Sequence, residues 1–225
     1  MQQDLAKKAA GEMAATFIQP GMTVGLGTGS TAYYTIMRIG ELVRDGLQLQ
    51  AVATSEQSEQ LAREQQIPIV SFSEVSRIDI DIDGADEADE QLRLIKGGGG
   101  ALLREKIIAA AASEMIVVMD ESKLVKQLGK FPLPVEVVPF AWELTFKKLT
   151  ELGAAPVMRK KDNKVFITDN GNYILDCHYE KISDPAVLHQ QLNSTPGVVD
   201  NGLFLSYANK LIIGYADGSV RSLSR

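Results

Sequence analysis

The sequence predicts an α/β protein: a Rossmann-like, mostly parallel sheet with helices on both faces, joined to a smaller α+β domain of ferredoxin-like order. Three observations predict it. Short apolar runs alternate with stretches at helical spacing through the first 130 residues, and such alternation builds a parallel sheet covered on both sides. A glycine-rich turn follows the first apolar run at once and opens a helix. Near Phe131-Pro-Leu-Pro134 the pattern changes; two prolines so close suit a crossing between domains.

Taken in order, Leu5, Ala9, Met13 and Phe17 recur at helical spacing, which predicts a helix over 3–18 ended by Pro20-Gly21. Met22–Leu26 reads as a buried strand, and Gly27–Thr31 leads into a helix to about Arg44. Leu49–Thr54 is the next strand, with a helix over Glu56–Gln65. Pro68–Phe72 and Ile78–Asp83 read as strands, as does Leu92–Lys96. Ala101–Ala112 reads as a helix and Met115–Met119 as an apolar strand. Beyond the prolines come a strand (Val135–Val138), a helix (Trp142–Leu152), two strands (Pro156–Arg159, Val165–Thr168), a turn at Asn170-Gly-Asn172, a strand (Tyr173–Cys177), a helix (Pro185–Leu192) and a strand (Val198–Phe204). That order is β-α-β-β-α-β with one extra strand. Leu211–Tyr215 and Ser219–Leu223 form a terminal hairpin about Asp217-Gly218, expected to return to the first domain. The expected division is 1–130 with 206–225, and 131–205.

The 225 residues carry a net charge of -6, with 45% hydrophobic and 23% charged residues. That leaves no basic footprint for nucleic acid, so an anionic ligand needs positive groups gathered locally. The single cysteine, Cys177, forbids an internal disulfide and fits a reducing cytoplasm. Asp4, Lys7, Lys8 and Glu12 make the first helix amphipathic, unlike a signal peptide. No run approaches the ~20 apolar residues of a membrane span. The expectation is a soluble, cytoplasmic protein with no membrane or nucleic-acid partner.

Four segments carry chemistry. Gly25-Leu-Gly-Thr-Gly-Ser-Thr31 turns backbone N–H groups toward an anion at a helix start, with hydroxyls from Ser30 and Thr31. The alternatives are a plain tight turn, or a dinucleotide fingerprint through Gly27, Gly29 and Ala32; for the latter, the tip of the next strand, Ala53-Thr-Ser55, lacks the acid that grips a ribose. In Ile78-Asp-Ile-Asp-Ile-Asp83-Gly-Ala-Asp86-Glu87, Asp79 and Asp81 read as solvent-facing acids of an alternating strand. Asp83 and Asp86 crowd the strand's carboxyl end, where they either serve a ligand or cap a turn. Lys96-Gly-Gly-Gly-Gly100 offers a fixed charge and a backbone that a ligand can approach closely, and Glu105 follows in the next helix. Lys123, in Asp120-Glu-Ser-Lys123, taken alone reads as an exposed lysine. Each segment lies just past an expected parallel strand, so all four converge on one rim. The rim has no histidine, and its cysteine lies elsewhere. His178 and His189 fall in the smaller domain. A zinc or two-metal site is disfavoured, although a carboxylate pair can hold magnesium.

With these blocks in fixed order, the sequence resembles the type A ribose-5-phosphate isomerases nearly end to end. Further blocks carry the likeness: Arg104-Glu105-Lys106, Gly129-Lys-Phe-Pro-Leu-Pro-Val-Glu-Val137, Thr168-Asp-Asn-Gly-Asn172, Pro196-Gly-Val198 and Gly202-Leu-Phe204. The resemblance implies interconversion of ribose 5-phosphate and ribulose 5-phosphate through an enediolate, in the non-oxidative pentose phosphate pathway. It implies Glu105 as general base, Asp83 and Asp86 as acids for ring opening and hydroxyl protons, and Lys96 facing the oxyanion. It implies substrate contacts from Thr28, Gly29, Ser30, Thr31, Gly84, Ala85, Gly97, Gly98, Gly99 and Lys123, with Lys7 a further phosphate ligand. It implies no organic cofactor, no metal, and a homodimer or homotetramer. Two rival readings are a nicotinamide-dependent oxidoreductase and a non-catalytic sugar-phosphate sensor.

Overall fold

The computed structural model describes residues 2–224. Its elements run α1 (Gln2–Ala15), β1 (Thr23–Leu26), α2 (Ser30–Arg44), β2 (Gln50–Ala53), α3 (Glu56–Glu64), β3 (Ile78–Gly84), β4 (Glu87–Ala88), β5 (Leu94–Ile95), α4 (Leu102–Ala111) and β6 (Ala112–Asp120). Then follow β7 (Leu133–Val137), α5 (Trp142–Glu151), β8 (Ala155–Met158), β9 (Lys160–Lys161), β10 (Lys164–Val165), β11 (Tyr173–His178), α6 (Pro185–Asn193), β12 (Val198–Asn201), β13 (Leu203–Phe204), β14 (Lys210–Gly214) and β15 (Val220–Ser224).

The large sheet has the order β15-β14-β6-β3-β1-β2. Five of its strands are parallel, and only β15 runs antiparallel, as the last arm of the terminal hairpin. The chain steps outward from β1 to β2, then returns to place β3 on the other side of β1. Such a reversal opens a crevice at the carboxyl ends of the two strands, where ligands bind in open α/β sheets. One face of the sheet, with Val24, Ile80, Ile82, Ile116, Val118 and Ile212, packs on α1 and α2 through Ala10, Ala14, Ile36 and Ile39. The other face carries Met115, Val117, Met119, Leu211 and Ile213, beneath Leu94, Ala109 and Phe204.

The smaller sheet has the order β12-β7-β11-β8, all antiparallel, with α5 joining β7 to β8 and α6 joining β11 to β12. This is the β-α-β-β-α-β arrangement; the extra strand is a short hairpin, β9–β10, inserted after β8. Leu133, Val135, Val137, Leu149, Leu175, Cys177 and Leu192 form its core.

The structure corrects five sequence expectations. Val165–Thr168 is strand only at Val165, the end of β10. Pro68–Phe72 is not a strand: it makes one bridge, Ile69 to Ala51, and Phe72–Glu74 curls into a 3-10 turn. Leu92–Lys96 contributes only two strand residues, and they lie in a separate antiparallel sheet, β13-β5-β4. Lys96 therefore does not follow a parallel strand; a turn with Leu92 at φ 60° brings it to the rim. Val198–Phe204 breaks in two at Gly202, where a Cβ would lie 2.2 Å from the Lys96 carbonyl oxygen. Asp81 is not solvent-facing but fully buried. Alternation does put Asp79, Asp81 and Asp83 on one face of β3, but β3 is central in the sheet and α4 covers that face.

Candidate active site

The crevice is built from the ends of β1 and β3. At Gly27 the strands approach so closely that a Cβ would lie 2.2 Å from Asp83 Oδ1. Gly29 then takes φ 105°, in the left-handed region that glycine tolerates. It caps α2 with no side-chain hydrogen bond, so the first N–H groups of α2 are left for an anion. Thr28 plays an internal part. Its hydroxyl meets those of Thr54, Ser55 and Ser58 at 2.7–3.1 Å, which fixes the loop against β2 and α3. These hydroxyls also fill the tip of β2, where a dinucleotide site would place its ribose acid.

Asp83 is fully buried behind the cleft. Its Oδ1 accepts from the N–H groups of Thr28 (2.9 Å) and Gly84 (2.6 Å), and its Oδ2 lies 3.0 Å from Lys96 Nζ. Lys96 is 1% exposed. Its ammonium donates to the Gly84 carbonyl at 2.5 Å and stands 3.4 Å from Glu105 Oε1. Burial works against that charge, but the Asp83 and Glu105 carboxylates outweigh it and push the Lys96 pKa above the usual lysine value. The Lys96 main chain is equally fixed, its N–H donating to Gly202 O at 2.9 Å.

Glu105 sits in the first turn of α4, turned toward the sheet and 3% exposed. Burial pushes its pKa up to about 8; Lys96 opposes the shift, while Asp83 and Asp86 add to it. Glu105 Oε2 has no hydrogen-bond partner. Asp86 lies across the cleft, and its Oδ2 accepts from Gly98 N–H at 2.7 Å. Burial raises its pKa as well, against the pull of that N–H and of Lys96, Lys123 and Arg159.

These groups surround one cleft of about 120 Å³, lined by Lys7, Thr28–Thr31, Gly84–Asp86, Lys96–Gly99, Glu105 and Lys123. All the residues singled out in the sequence meet here except Asp83, which lies directly behind the lining. Lys123 is half-buried, 5.7 Å from the Phe131 ring centroid. Sequence reasoning missed Gln3, which also lines the cleft and whose Nε2 donates to Asp120 Oδ2 at 3.3 Å. Its spacing of four from Lys7 puts both on one helix face, a signal that was available. It also missed Arg159, brought in from the smaller sheet, and the close contact of Gly202 with Lys96; neither has a local signal.

The family described as Ribose 5-phosphate isomerase A (phosphoriboisomerase A) matches residues 50–218. A Bacillus cereus protein named ribose-5-phosphate isomerase A is 54% identical over 213 residues, covering 94% of this chain and 97% of its own. The chain belongs to the ribose-5-phosphate isomerase A family. It is an aldose–ketose isomerase, and the family's reaction is the interconversion of ribose 5-phosphate and ribulose 5-phosphate. Solved structures agree. A ribose 5-phosphate isomerase from Plasmodium falciparum superposes with a TM-score of 0.95 at 39% identity, over 99% of both chains. A D-ribose-5-phosphate isomerase in complex with phospho-erythronic acid gives 0.94 at 44% identity, over 98% of both. Among the described residues no helix is long and apolar enough to cross a membrane.

Proposed function

We propose that the chain interconverts ribose 5-phosphate and ribulose 5-phosphate through an enediolate, with Glu105 as the single base. The observation that carries this reading is a buried carboxyl of raised basicity, with one oxygen free, 3.4 Å from a buried ammonium. From the open-chain aldose, Glu105 takes the C2 proton, the electron pair moves onto the carbonyl, and the same carboxyl returns the proton to C1. Lys96, locked by its acceptors, faces the developing oxyanion without reorganising. Asp86, whose pKa burial raises, serves ring opening and hydroxyl proton transfer, while Asp83 holds Lys96 in place. The N-terminus of α2, with Lys7 and Lys123, anchors the phosphate far from the reacting carbons, so its binding energy serves orientation.

The reaction is metal-free in this reading, with the Lys96 ammonium, 3.0 Å from Asp83 and 3.4 Å from Glu105, supplying the positive charge at the reacting centre. Residues 1–130 with 206–225 form the catalytic unit and 131–205 the smaller one. The active form is a cytoplasmic homodimer or homotetramer working in the non-oxidative pentose phosphate pathway.

The test uses protein dialysed against a chelator, with ribose 5-phosphate in heavy water followed by NMR. The wild type should form ketose and exchange the C2 proton at comparable rates. Glu105→Gln keeps the size of the side chain but cannot accept the proton. It should bind substrate yet lose turnover and exchange by at least ~10²–10⁴-fold. Retained exchange in a folded Glu105→Gln protein would falsify the assignment of the base.

A further inference from the structure

The loop Gly97–Gly100 is held from outside by the smaller sheet. Arg159 follows β8, and Phe166 follows β10; the two are paired across the base of the β9–β10 hairpin, with Phe166 N–H donating to Arg159 O at 3.0 Å. Arg159 Nη1 donates to two successive carbonyls, Gly97 O at 2.7 Å and Gly98 O at 3.1 Å. The rest of its fork is taken by Asp176 on β11, with Nε to Oδ2 at 2.9 Å and Nη2 to Oδ1. Phe166 closes over the end of the loop, where a Cβ on Gly100 would lie 2.4 Å from its ring.

Peptide planarity turns this grip into an orientation. In a trans peptide the C=O and the following N–H point in opposite directions. Holding the Gly97 carbonyl on the Arg159 side therefore turns the Gly98 N–H the other way, onto Asp86 Oδ2 at 2.7 Å. Holding the Gly98 carbonyl does the same for the Gly99 N–H. That group has no backbone acceptor among the described residues, and Gly99 lines the cleft. The Gly97–Gly100 turn, closed by Gly100 N–H to Gly97 O at 3.0 Å, thus presents consecutive N–H groups as a helix N-terminus does. Four glycines have no side chains to fix such a geometry, and their backbone freedom is large.

We propose that Arg159, held by Asp176, is a positioning residue of the isomerase: its hold on the Gly97 and Gly98 carbonyls fixes Asp86 and aims the Gly99 N–H at the reacting end of the substrate. The proposal rests on the enediolate reading above and assigns the smaller sheet a part in the chemistry. Arginine is required because a planar fork can meet two carbonyls and a carboxylate together, whereas lysine is a point charge. Besides Gly98 N–H and Arg159, Asp86 is faced by Lys96 beyond β5 and Lys123 beyond β6, and it shares the cleft with Glu105 on α4. Removing Arg159 takes away a cation near Asp86 and frees the N–H it accepts; both changes raise the pKa of Asp86.

The experiment measures kcat, KM and the pH profile for ribose 5-phosphate with Arg159→Met, Arg159→Lys and Asp176→Asn, alongside the wild type. Arg159→Met should lower kcat by about 10²-fold, the size expected of a misplaced catalytic geometry, while KM changes by less than about threefold, since N–H groups aimed at developing charge act in the transition state. The limb of its profile contributed by Asp86 should move to higher pH. Arg159→Lys should keep that limb but stay about tenfold below wild type in kcat, and Asp176→Asn should lower kcat by roughly three- to tenfold. If Arg159→Met does not fold, the other two variants decide. Wild-type kcat in the folded variants, or in Arg159→Met a uniformly lowered profile with no limb moved, overturns the proposal. Retained turnover and C2 exchange in folded Glu105→Gln, followed by NMR in heavy water on a parallel sample, overturn the reading of Glu105 as the base instead.

Discussion

Lys96 and Glu105 set each other's protonation, and the pH dependence of the reaction follows from that pair. In the proposed mechanism Glu105 works as a base only when ionised, and burial holds its pKa near 8 even with Lys96 beside it. The rate at limiting substrate should therefore rise with pH through about 8. Lys96 opposes the effect of burial, so its removal raises the Glu105 pKa further and moves the rising limb to higher pH. Lys96→Met should show that displacement together with a loss in kcat of about two orders of magnitude, because the oxyanion loses its fixed partner. A pH–rate profile of the variant checks both; an unmoved limb would mean that the ammonium does not act on Glu105. Lys96 and Glu105 were legible as site residues because four glycines stand between the lysine and the helix. Their electrostatics were not, since burial depends on α4 and Gly202 closing over them.

At the scale of elements, the α2 N-terminus is the clearest case of sequence carrying through to local structure. Gly27 and Gly29 mark a close approach and a left-handed turn, and both are found where the spacing put them. Thr31, in the first turn, lines the cleft and is largely buried. In the proposed reading this loop anchors the phosphate equally in the ground and transition states, so Thr31→Ala should raise KM about tenfold, for roughly 1.4 kcal/mol of lost hydrogen bonding, and lower kcat much less. Steady-state kinetics separate the two; a fall in kcat alone would remove the loop from phosphate binding. Other elements were harder to read. Leu92–Lys96 has the apolar character of a strand, but periodicity cannot say which sheet a two-residue strand joins. Gly202 splits what reads as one strand into β12 and β13 because Lys96 and Pro134 crowd it, a contact between distant parts of the chain. Arg159 carries no local mark at all, since its targets are carbonyls more than sixty residues away.

The whole molecule buries acids on the α4 side of its large sheet, and its stability should register them. Asp81 is fully buried beside Gly25 and Ile108, and neither carboxylate oxygen has a hydrogen-bond partner. Burial, with Asp83 adding to it and Lys96 opposing, lifts its pKa well above the ordinary value. The pKa values of Glu105 and Asp86 are raised too. A group with a raised folded-state pKa binds more protons folded than unfolded, so stability falls as pH rises from its unfolded pKa through its folded one. For these three acids the fall starts near pH 4 and, for Glu105, runs to about 8. The carboxyls with lowered values, Asp79, Asp120 and Asp217 among them, lose their contribution only below the ordinary carboxylate range. Lys96 has a raised pKa and loses its contribution only in strong alkali. Between pH 5 and pH 8 the buried acids therefore dominate. At roughly 2–4 °C per kcal/mol for a chain of this size, the thermal midpoint should drop by several degrees across that window. Asp81→Val replaces an unpartnered acid with an apolar group of similar size, so it should raise the midpoint more at pH 8 than at pH 5 and leave ribose 5-phosphate turnover nearly unchanged. Combining it with Glu105→Gln should flatten most of the slope. Calorimetric scans of the wild type and both variants at the two pH values check this. A gain from Asp81→Val that is equal at pH 5 and pH 8 would show that Asp81 does not titrate in the window, and the slope would then belong to Glu105 and Asp86 alone.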